Sequence, residues 1–522
     1  MKHTIQPFRR CFLLVVIIIK GDFMLKLLQY TLIIILTLLI SYNLFRFLSN
    51  GIILGVYPYI LALFAMVGIF LLIWHFVKIE FLKLGVKWVF LFIIIFFFYT
   101  FIQIFRNAYL TNDYQKERSI YMDKLMNITE YRDADVELTN LQTGISTLIE
   151  GNTGIPLTYY NEVKVLADGV AVIDEMIETL SKAEDHIHVE YFIIRDDQIG
   201  NKFKDVLIKK AKEGVKVRLI YDGLGSRSIE PKFKRKLMKN GVEIGVFNGS
   251  IMSAIRGKLN HRNHRKIVVV DGKIGYIGGF NIGDEYLGRD DNIGKWKDLH
   301  IKVHGEVVNW AQKIFLGDWY YITKEAVVDK SYFPENQIEK RLPCQMITSG
   351  FDTHWNEISQ LYFSMIAGAQ EKVYIATPYL ILNDSLIKAL QTAAMRGVEV
   401  KLIIPKKPDL FLVGWANESF FNILLKAKVD IYMHKDGFVH SKVLLTDNQI
   451  VSIGSANLNT RSLFLDYEAN AVIYDEGVAG EVEKIFKEYI DKSERVTYEE
   501  YKNPPLLKRL KLWIGKLIIP LA

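Results

Sequence analysis

Two segments of the chain carry histidine, lysine, aspartate, small residues and asparagine at the same internal spacing. The first copy comprises His264, Lys266, Asp271, Gly278, Gly279 and Asn281, and the second comprises His440, Lys442, Asp447, Gly454, Ser455 and Asn457. A lone His-x-Lys is common in strands with alternating polar residues, but two full copies are hard to obtain by accident. We therefore interpret them as two halves of one active site rather than as two unrelated β-hairpins.

These residue types suit chemistry at the phosphorus of a phosphodiester. Lys266 and Lys442 would neutralise the non-bridging oxygens, and Asn281 and Asn457 would donate hydrogen bonds to them as negative charge develops. One neutral imidazole can attack phosphorus, and the other, when protonated, can donate its proton to the departing alkoxide. The two motif histidines are the candidates for these roles, and the residues alone leave open which histidine plays which.

A carboxylate behind each imidazole would orient the ring and stabilise its cation. We expect Asp298 behind His264, and Glu468, which lies 28 residues beyond His440, behind His440. The alternative for both carboxylates is a surface or turn position without a catalytic role.

The motif aspartates, Asp271 and Asp447, follow short predicted strands, and we favour a structural role in the turn for them over direct chemistry. The small residues near the end of each motif would let the backbone approach a ligand closely. The two cysteines, Cys11 and Cys344, lie far apart, and no histidine has the company of metal ligands. We therefore expect neither a metal nor a cofactor.

Elements of secondary structure recur in the same order before each motif, which predicts two similar α/β lobes. The first half reads as a strand from Ile187, a helix Lys202–Glu213, a stop at Gly214 and a strand Val215–Ile220; the second reads as a strand Val373–Thr377, a helix Ser385–Arg396, a stop at Gly397 and a strand Val398–Ile403. Such alternation implies mixed sheets flanked by helices. Residues 156–340 and 341–495 are the predicted lobes, and pseudo-twofold symmetry would bring the two motifs together.

The region before the lobes has a different composition. Three long stretches, at residues 27–45, 51–77 and 88–105, contain no Asp, Glu, Lys or Arg, and each is close to the length of a membrane-spanning helix. We predict a transmembrane region at residues 1–106, in which residues 1–23 are either an extra short apolar segment or untranslated, with Met24 as the true start. Residues 107–155 are polar and predict a linker with helical stretches such as Tyr114–Met126.

The C-terminal tail, residues 496–522, is both apolar and basic. Leucines and a tryptophan recur at helical spacing among four basic side chains, which is typical of a helix at the surface of an anionic membrane. The alternative is a helix packed on the lobes. Over the whole chain, 65 basic residues face 58 acidic ones, with no basic stripe interleaved with aromatic residues, so nucleic acid is not an expected partner.

The doubled motif resembles that of the phospholipase D superfamily, and several segments resemble bacterial cardiolipin synthases more closely. These segments are residues 261–287, Trp296–His300, Thr377–Tyr379 and Gly454–Ser462, within a similarity that extends from about Pro156 to Asp491. The resemblance implies that a phosphatidyl group passes from one phosphatidylglycerol to a second through a phosphohistidine, giving cardiolipin and glycerol. It also implies that His264 is the nucleophile and His440 the acid. Such relatives usually have two N-terminal spans, whereas three or four are predicted here.

Three other functions remain open on the sequence. The same site could hydrolyse phospholipids, cleave nucleic acids as a nuclease, or belong to a non-catalytic lipid-binding protein. Fusion to membrane spans favours phosphatidylglycerol and anionic membrane lipid as partners, and two complete motifs favour an enzyme. We expect a multi-pass protein of the cell membrane with its catalytic lobes on the cytoplasmic side. The sequence carries no indication of the oligomeric state.

Overall fold

A computed structural model describes residues 91, 120–249, 260–290, 294–335, 337–351 and 353–519. The chain divides into two compact units, Met1–Arg106 and Asn107–Ala522. The segment 1–23 and the expected spans at 27–45, 51–77 and 88–105 lie outside the described residues, apart from Leu91. No helix within the described residues has both the length and the apolar character needed to cross a bilayer.

Strands of the second unit that the structure describes form one continuous fifteen-stranded sheet and one two-stranded sheet. The strands are β1 (Thr158–Leu166), β2 (His186–Tyr191), β3 (Lys216–Asp222), β4 (Glu243–Phe247), β5 (Ile267–Val270), β6 (Ile274–Gly278), β7 (Trp296–Lys297), β8 (His300–Gly305), β9 (Arg341–Ser349), β10 (Lys372–Ala376), β11 (Glu399–Pro405), β12 (Asp430–His434), β13 (Phe438–Val439), β14 (Val443–Thr446), β15 (Ile450–Gly454), β16 (Glu468–Ile473) and β17 (Ser493–Arg495).

The predicted repeat is visible in the strand order. From its centre outward, the large sheet runs β1-β8-β6-β5-β2-β3-β4 in one direction and β9-β16-β15-β14-β10-β11-β12 in the other, with β17 added at that edge. The two central strands, β1 and β9, pair antiparallel. The fold class is α/β, as predicted, but the two lobes share one sheet instead of having a sheet each.

Helices cover the sheet. They are α1 (residues 120–126), α2 (Asn140–Thr153), α3 (Gly169–Ser181), α4 (Gln198–Lys212), α5 (Pro231–Lys239), α6 (Val307–Thr323), α7 (Glu357–Gly368), α8 (Asp384–Met395), α9 (Phe411–Glu418), α10 (Phe421–Lys426), α11 (Thr460–Phe464), α12 (Glu476–Asp491), α13 (Glu499–Lys502) and α14 (Leu506–Ile518). Short 3₁₀ helices occur at Asp284–Leu287 and Lys330–Tyr332.

Local signals explain why the matching helices α4 and α8 begin and end where they do. Asp197 caps α4 by accepting a hydrogen bond from a backbone N–H of the first turn, and Asn383 caps α8 in the same way. Gly214 and Gly397 follow these helices with φ of 95° and 97°, a conformation that favours glycine. The glycine stops predicted from the sequence are therefore in place, and each leads directly into the next strand.

An apolar core between the lobes holds the two motif-bearing strands. Ile267 and Val269 of β5 and Val443 and Leu445 of β14 belong to the same buried cluster, to which helices α6 and α12 also contribute. Burial of apolar side chains is the main stabilising term in folding, so this shared core fixes one lobe against the other. The strands that follow the two motif histidines are thereby anchored in one rigid body.

The segment expected to be a linker is folded in its described part, and the prediction was wrong there. Helix α2 begins with a capping box at Thr139 and buries Ile145 and Ile149 in the core of the second lobe. In helix α1, Tyr121 and Leu125 are buried beside helix α6 of the first lobe. The polar composition misled because an amphipathic helix needs only one apolar stripe.

Candidate active site

Each motif histidine is reached through a short parallel pairing between the lobes. Asn263 forms a parallel bridge with Tyr467, and the His264 N–H donates to the Tyr467 carbonyl at 2.9 Å. In the second copy, β13 pairs in parallel with β7, and the His440 N–H donates to the Lys297 carbonyl at 2.7 Å. In both places the next residue is a histidine on one segment and a carboxylate on the other. The pairs are His264 with Glu468 and His440 with Asp298.

His264 is buried against the second lobe. Its Nδ1 lies 3.0 Å from Glu468 Oε2 and 3.0 Å from the Ser455 carbonyl oxygen. Because both neighbours are acceptors, Nδ1 carries the proton in the neutral ring and Nε2 keeps its lone pair. Burial lowers the pKa of His264, although Glu468 opposes this effect. The Phe192 ring packs edge-on against the imidazole at 4.8 Å.

His440 is buried against the first lobe. Its Nδ1 lies 2.6 Å from Asp298 Oδ2 and 2.8 Å from Lys442 Nζ. Burial and then the charge of Lys442 lower the pKa of His440 well below its usual range. Trp296 packs on the imidazole with ring centroids 4.7 Å apart, much as an aromatic ring packs on the other histidine.

The predicted partners of the two histidines are exchanged, and this corrects the sequence-based assignment. Asp298 lies behind His440 instead of His264, and Glu468 lies behind His264 instead of His440. The cause is the parallel pairing between lobes, which places each carboxylate opposite the histidine of the other half. Both carboxylates are fully buried, so the alternative of a surface position does not hold.

The carboxylates differ in their ionisation. Burial raises the pKa of Asp298 to about 6, with the charge of Lys442 acting in the opposite direction. Burial is also the largest single effect on the pKa of Glu468 and acts to raise it. The charge and hydrogen bond of His264, the charge of Lys266 and the hydrogen bond of Ser455 together outweigh burial, so the pKa lies below its usual range. The two imidazoles therefore face carboxylates of unequal basicity.

Both motif lysines lie in the same buried site. Burial, as the largest cause, lowers the pKa of Lys266 to about 7 and that of Lys442 to about 8. Lys266 Nζ donates to the His264 carbonyl, and Lys442 Nζ donates to the His440 carbonyl. The charge of Lys442 also lowers the pKa of Lys266, and the charges of Lys266 and His264 lower that of His440. The two motifs are thus close enough to form one electrostatic unit.

The motif asparagines are buried close to this unit. Asn281 Oδ1 accepts a hydrogen bond from the Ile193 N–H at 3.2 Å, and its side chain also bonds to Tyr286. Asn457 Nδ2 donates to Ser462 Oγ at 3.3 Å. Their role as phosphate ligands stays a prediction.

The motif aspartates make matched contacts away from the imidazoles. Asp271 accepts hydrogen bonds from the backbone N–H groups of three consecutive residues, 184–186, at 2.8–2.9 Å. Asp447 accepts the same set from residues 370–372 at 2.8–2.9 Å. Both have positive φ, 53° and 50°. Each aspartate thus ties the motif hairpin to the start of a neighbouring strand, which is the contact pattern of a structural turn residue.

The two halves diverge where the second motif has serine in place of glycine. A Cβ atom on Gly279 would lie 2.1 Å from Asp298 Oδ1, so only glycine fits there. At the matching position, Ser455 Oγ donates to Glu468 Oε2 at 2.5 Å. The sequence reading took Ser455 only as a small residue and missed its contact with Glu468.

Arg265 was also missed. It is fully buried, donates to the Glu468 carbonyl at 3.2 Å and forms an ion pair with Asp318. The second copy has Ser441 at the matching place, and this break in the repeat was the available signal. Arg265 therefore fixes the backbone of the carboxylate behind His264. Within the described residues, no cluster of three or more His, Cys, Asp or Glu side chains is arranged to hold a metal ion.

Comparisons with known proteins agree with this geometry. A family model described as "Cardiolipin synthase, PLD-like domain" matches residues 176–319 and 362–490. The chain is 41% identical over 379 residues to the major cardiolipin synthase ClsA of Bacillus subtilis (strain 168), covering 72% of this chain and 78% of that protein. It is 41% identical over 371 residues to a cardiolipin synthase of Alkalihalophilus pseudofirmus, covering 70% and 73%.

Among solved structures, the chain is similar to phosphatidylserine synthase of Haemophilus influenzae Rd KW20, with a TM-score of 0.56 and 16% identity over 73% of this chain and 100% of that one. This likeness concerns the fold alone. The family match and the curated relatives cover both motifs and most of the two lobes. The chain therefore belongs to the cardiolipin synthase family of the phospholipase D superfamily.

Proposed function

We propose that this protein is a cardiolipin synthase, which transfers a phosphatidyl group from one phosphatidylglycerol to a second and releases glycerol. One observation carries the proposal. Each lobe places its carboxylate behind the histidine of the other lobe, so His264 and His440 belong to one buried site. Family membership supports the same reaction. Hydrolysis and nuclease activity would use the same phosphorus chemistry, but the curated relatives are named as synthases.

In the first half-reaction, His264 Nε2 attacks the phosphorus of phosphatidylglycerol. The tautomer held by Glu468 and the Ser455 carbonyl leaves this nitrogen free to act as the nucleophile. A P–N bond forms while the bond from phosphorus to the glycerol oxygen breaks. The negative charge of the diester favours the protonated form of His440 beside Asp298, and His440 gives its proton to the departing oxygen.

In the second half-reaction, the roles of His440 reverse. Its neutral imidazole removes the proton from a hydroxyl of the second phosphatidylglycerol, whose oxygen attacks phosphorus as the P–N bond breaks. Lys266 and Lys442 neutralise the non-bridging oxygens in both steps, and Asn281 and Asn457 donate hydrogen bonds to them. A lipid hydroxyl thus takes the place that water would take in a hydrolase.

The test is a lipid extraction from membranes that contain the intact protein, His264→Ala, His440→Ala or the exposed control His354→Ala, each incubated with phosphatidylglycerol. We expect cardiolipin and glycerol from the intact chain and the control. Each motif variant should lose at least about 10³-fold in rate, since His264 forms the bond to phosphorus and His440 protonates the departing oxygen. Phosphatidic acid as the main product would overturn the proposal in favour of hydrolysis.

A further inference from the structure

The C-terminal helix α14 rests on the second lobe by its inner face. A Cβ atom on Gly515 would lie 2.4 Å from the carbonyl carbon of Trp415, so the backbones of α14 and α9 touch there. Leu512 and Ile519 pack against the core of the lobe. The sequence left open a helix packed on the lobes or one at a membrane surface, and this inner face is packed.

The opposite face of α14 is apolar and exposed. Leu506, Leu507, Leu510 and Trp513 have 82%, 67%, 51% and 49% of their surface accessible. Residues three, four and seven positions apart share one side of a helix, so these four side chains form a single apolar strip. A contiguous exposed apolar strip on a folded protein marks a surface that binds another apolar surface.

Basic side chains border this strip. The helix contains four of them and no acidic residue: Lys508, Arg509, Lys511 and Lys516. Arg509 and Lys516 are exposed along one border of the strip, and Lys511 lies on the other. Lys508 is turned toward the lobe, with its Nζ 3.5 Å from the centroid of the Tyr501 ring. An apolar strip with cationic borders complements the headgroup and acyl regions of an anionic bilayer.

A second exposed apolar pair lies at the start of α9, the helix on which α14 packs. Leu410 and Phe411 are 60% and 65% exposed, and the Phe411 ring lies 5.4 Å from that of Trp415, beneath α14. The residue just before them, Asp409, accepts a hydrogen bond from Tyr379 at 2.5 Å. Tyr379 is itself near the active site, because Thr377 Oγ1 accepts a hydrogen bond at 3.2 Å from the Leu458 N–H, directly after the motif residue Asn457. The start of α9 is therefore close to the active site.

We propose that the strip of α14 and the start of α9 form a membrane-docking face that binds a bilayer containing anionic phospholipid and brings the active site close to the lipid headgroups. The face is defined by Leu410, Phe411, Leu506, Leu507, Leu510 and Trp513. Delivery of substrate through this face rests on the proposed function, whereas binding of the bilayer does not require turnover.

The test places a bimane fluorophore on the docking face of the full chain. Cys11→Ser leaves Cys344, which is buried, and Leu510→Cys then provides the labelled position. The protein is reconstituted in phosphatidylcholine vesicles with or without phosphatidylglycerol, and doxyl-labelled lipid is added as the quencher. The matched control carries the label at Lys209→Cys, on a side chain 67% exposed on the first lobe.

We expect about twofold quenching at position 510 and little at position 209, because only an immersed probe meets the acyl-chain quencher. Quenching should weaken without phosphatidylglycerol and at high salt, since the basic border is screened. Equal quenching at both positions would overturn the proposal, because position 510 would then be no closer to the acyl chains than position 209.

A second variant, Leu507→Glu with Leu510→Glu, tests the link to catalysis. Transfer between lipids in vesicles should fall several-fold, while transfer in detergent micelles should stay unchanged because the active site is intact. An equal loss in both assays would contradict delivery through this face. Quenching at position 510 without any cardiolipin formation would sink the proposed function and leave the docking face in place.

Discussion

The two halves of the active site share one backbone arrangement but give their histidines different neighbours. In each half a parallel bridge between lobes sets a histidine opposite a carboxylate, and an aromatic ring packs on the imidazole. Nδ1 of His264 meets two acceptors, whereas Nδ1 of His440 meets an acceptor and the amine of Lys442. Repetition therefore supplies the backbone arrangement, and the two imidazoles differ in what their Nδ1 atoms contact.

That difference matters because nucleophile and acid need opposite protonation states at the same pH. Glu468 has a lowered pKa and holds the tautomer in which Nε2 of His264 can attack. Asp298 has a pKa raised to about 6 and is the weaker acid of the two. The histidine that is proposed to give and take a proton at Nε2 therefore has the more basic of the two carboxylates at its Nδ1.

The largest expected effect comes from the exchanged carboxylates. Glu468→Gln and Asp298→Asn should each lower the transfer rate by about 10²-fold or more, in line with losses of groups that orient a catalytic histidine. With Glu468→Gln, the amide N–H₂ can donate to Nδ1 of His264 and stabilise the wrong tautomer, so the phosphatidyl adduct should not form. With Asp298→Asn, the adduct should still form slowly on His264. Mass spectrometry of proteolytic peptides checks both, and an adduct on His440 would reverse the assignment.

The Ser455 and Gly279 positions provide matched controls for that result. Ser455→Gly gives the second half the residue of the first and removes one hydrogen bond to Glu468, so a loss of about tenfold or less is expected. The reverse exchange, Gly279→Ser, should lower the rate about as much as Asp298→Asn, because its Cβ would meet Asp298 Oδ1 at 2.1 Å and displace that carboxylate. Equal effects of the two changes would mean that the halves are not differentiated here.

A smaller effect is expected in the pH profile. Lys266 has a pKa of about 7, so its charge is present below that value and lost as the pH rises; Asp298 has a pKa of about 6, so its charge is lost as the pH falls. The rate should therefore decline below about pH 6 and above about pH 7. Arginine stays charged, so Lys266→Arg should move the alkaline decline to higher pH. The control Lys302→Arg should leave the profile unchanged, and an unmoved profile for Lys266→Arg would exclude this lysine as the titrating group.

The smallest expected effect concerns Asp271 and Asp447, whose contacts are the same in the two halves. Asp271→Asn and Asp447→Asn keep a turn-compatible residue but weaken three backbone hydrogen bonds each, which should lower the free energy of unfolding by about 1–2 kcal/mol. Because the contacts match, the two losses should be similar, as measured by denaturant unfolding of the detergent-solubilised protein. A loss of transfer far beyond the loss of folded protein would instead assign these aspartates a catalytic part.

Sequence reasoning succeeded where the deciding physics is local. Gly214 and Gly397 end their helices as expected, because a positive φ is a property of one residue and its immediate neighbours. Assigning Asp298 and Glu468 to particular histidines required the pairing between lobes, which joins residues 142 and 204 positions apart. No local pattern encodes that pairing.

Because each histidine contacts a carboxylate of the other lobe, the order of synthesis determines when the enzyme can first act. Protein synthesis proceeds from the N-terminus, and domains generally fold in that order. His264 leaves the ribosome 204 residues ahead of Glu468, and His440 has no partner unless the first lobe has already folded around Asp298. Neither half is competent by itself, so no phosphodiester can be attacked until the second lobe has docked. Formation of the active site therefore has to await the folding of both lobes.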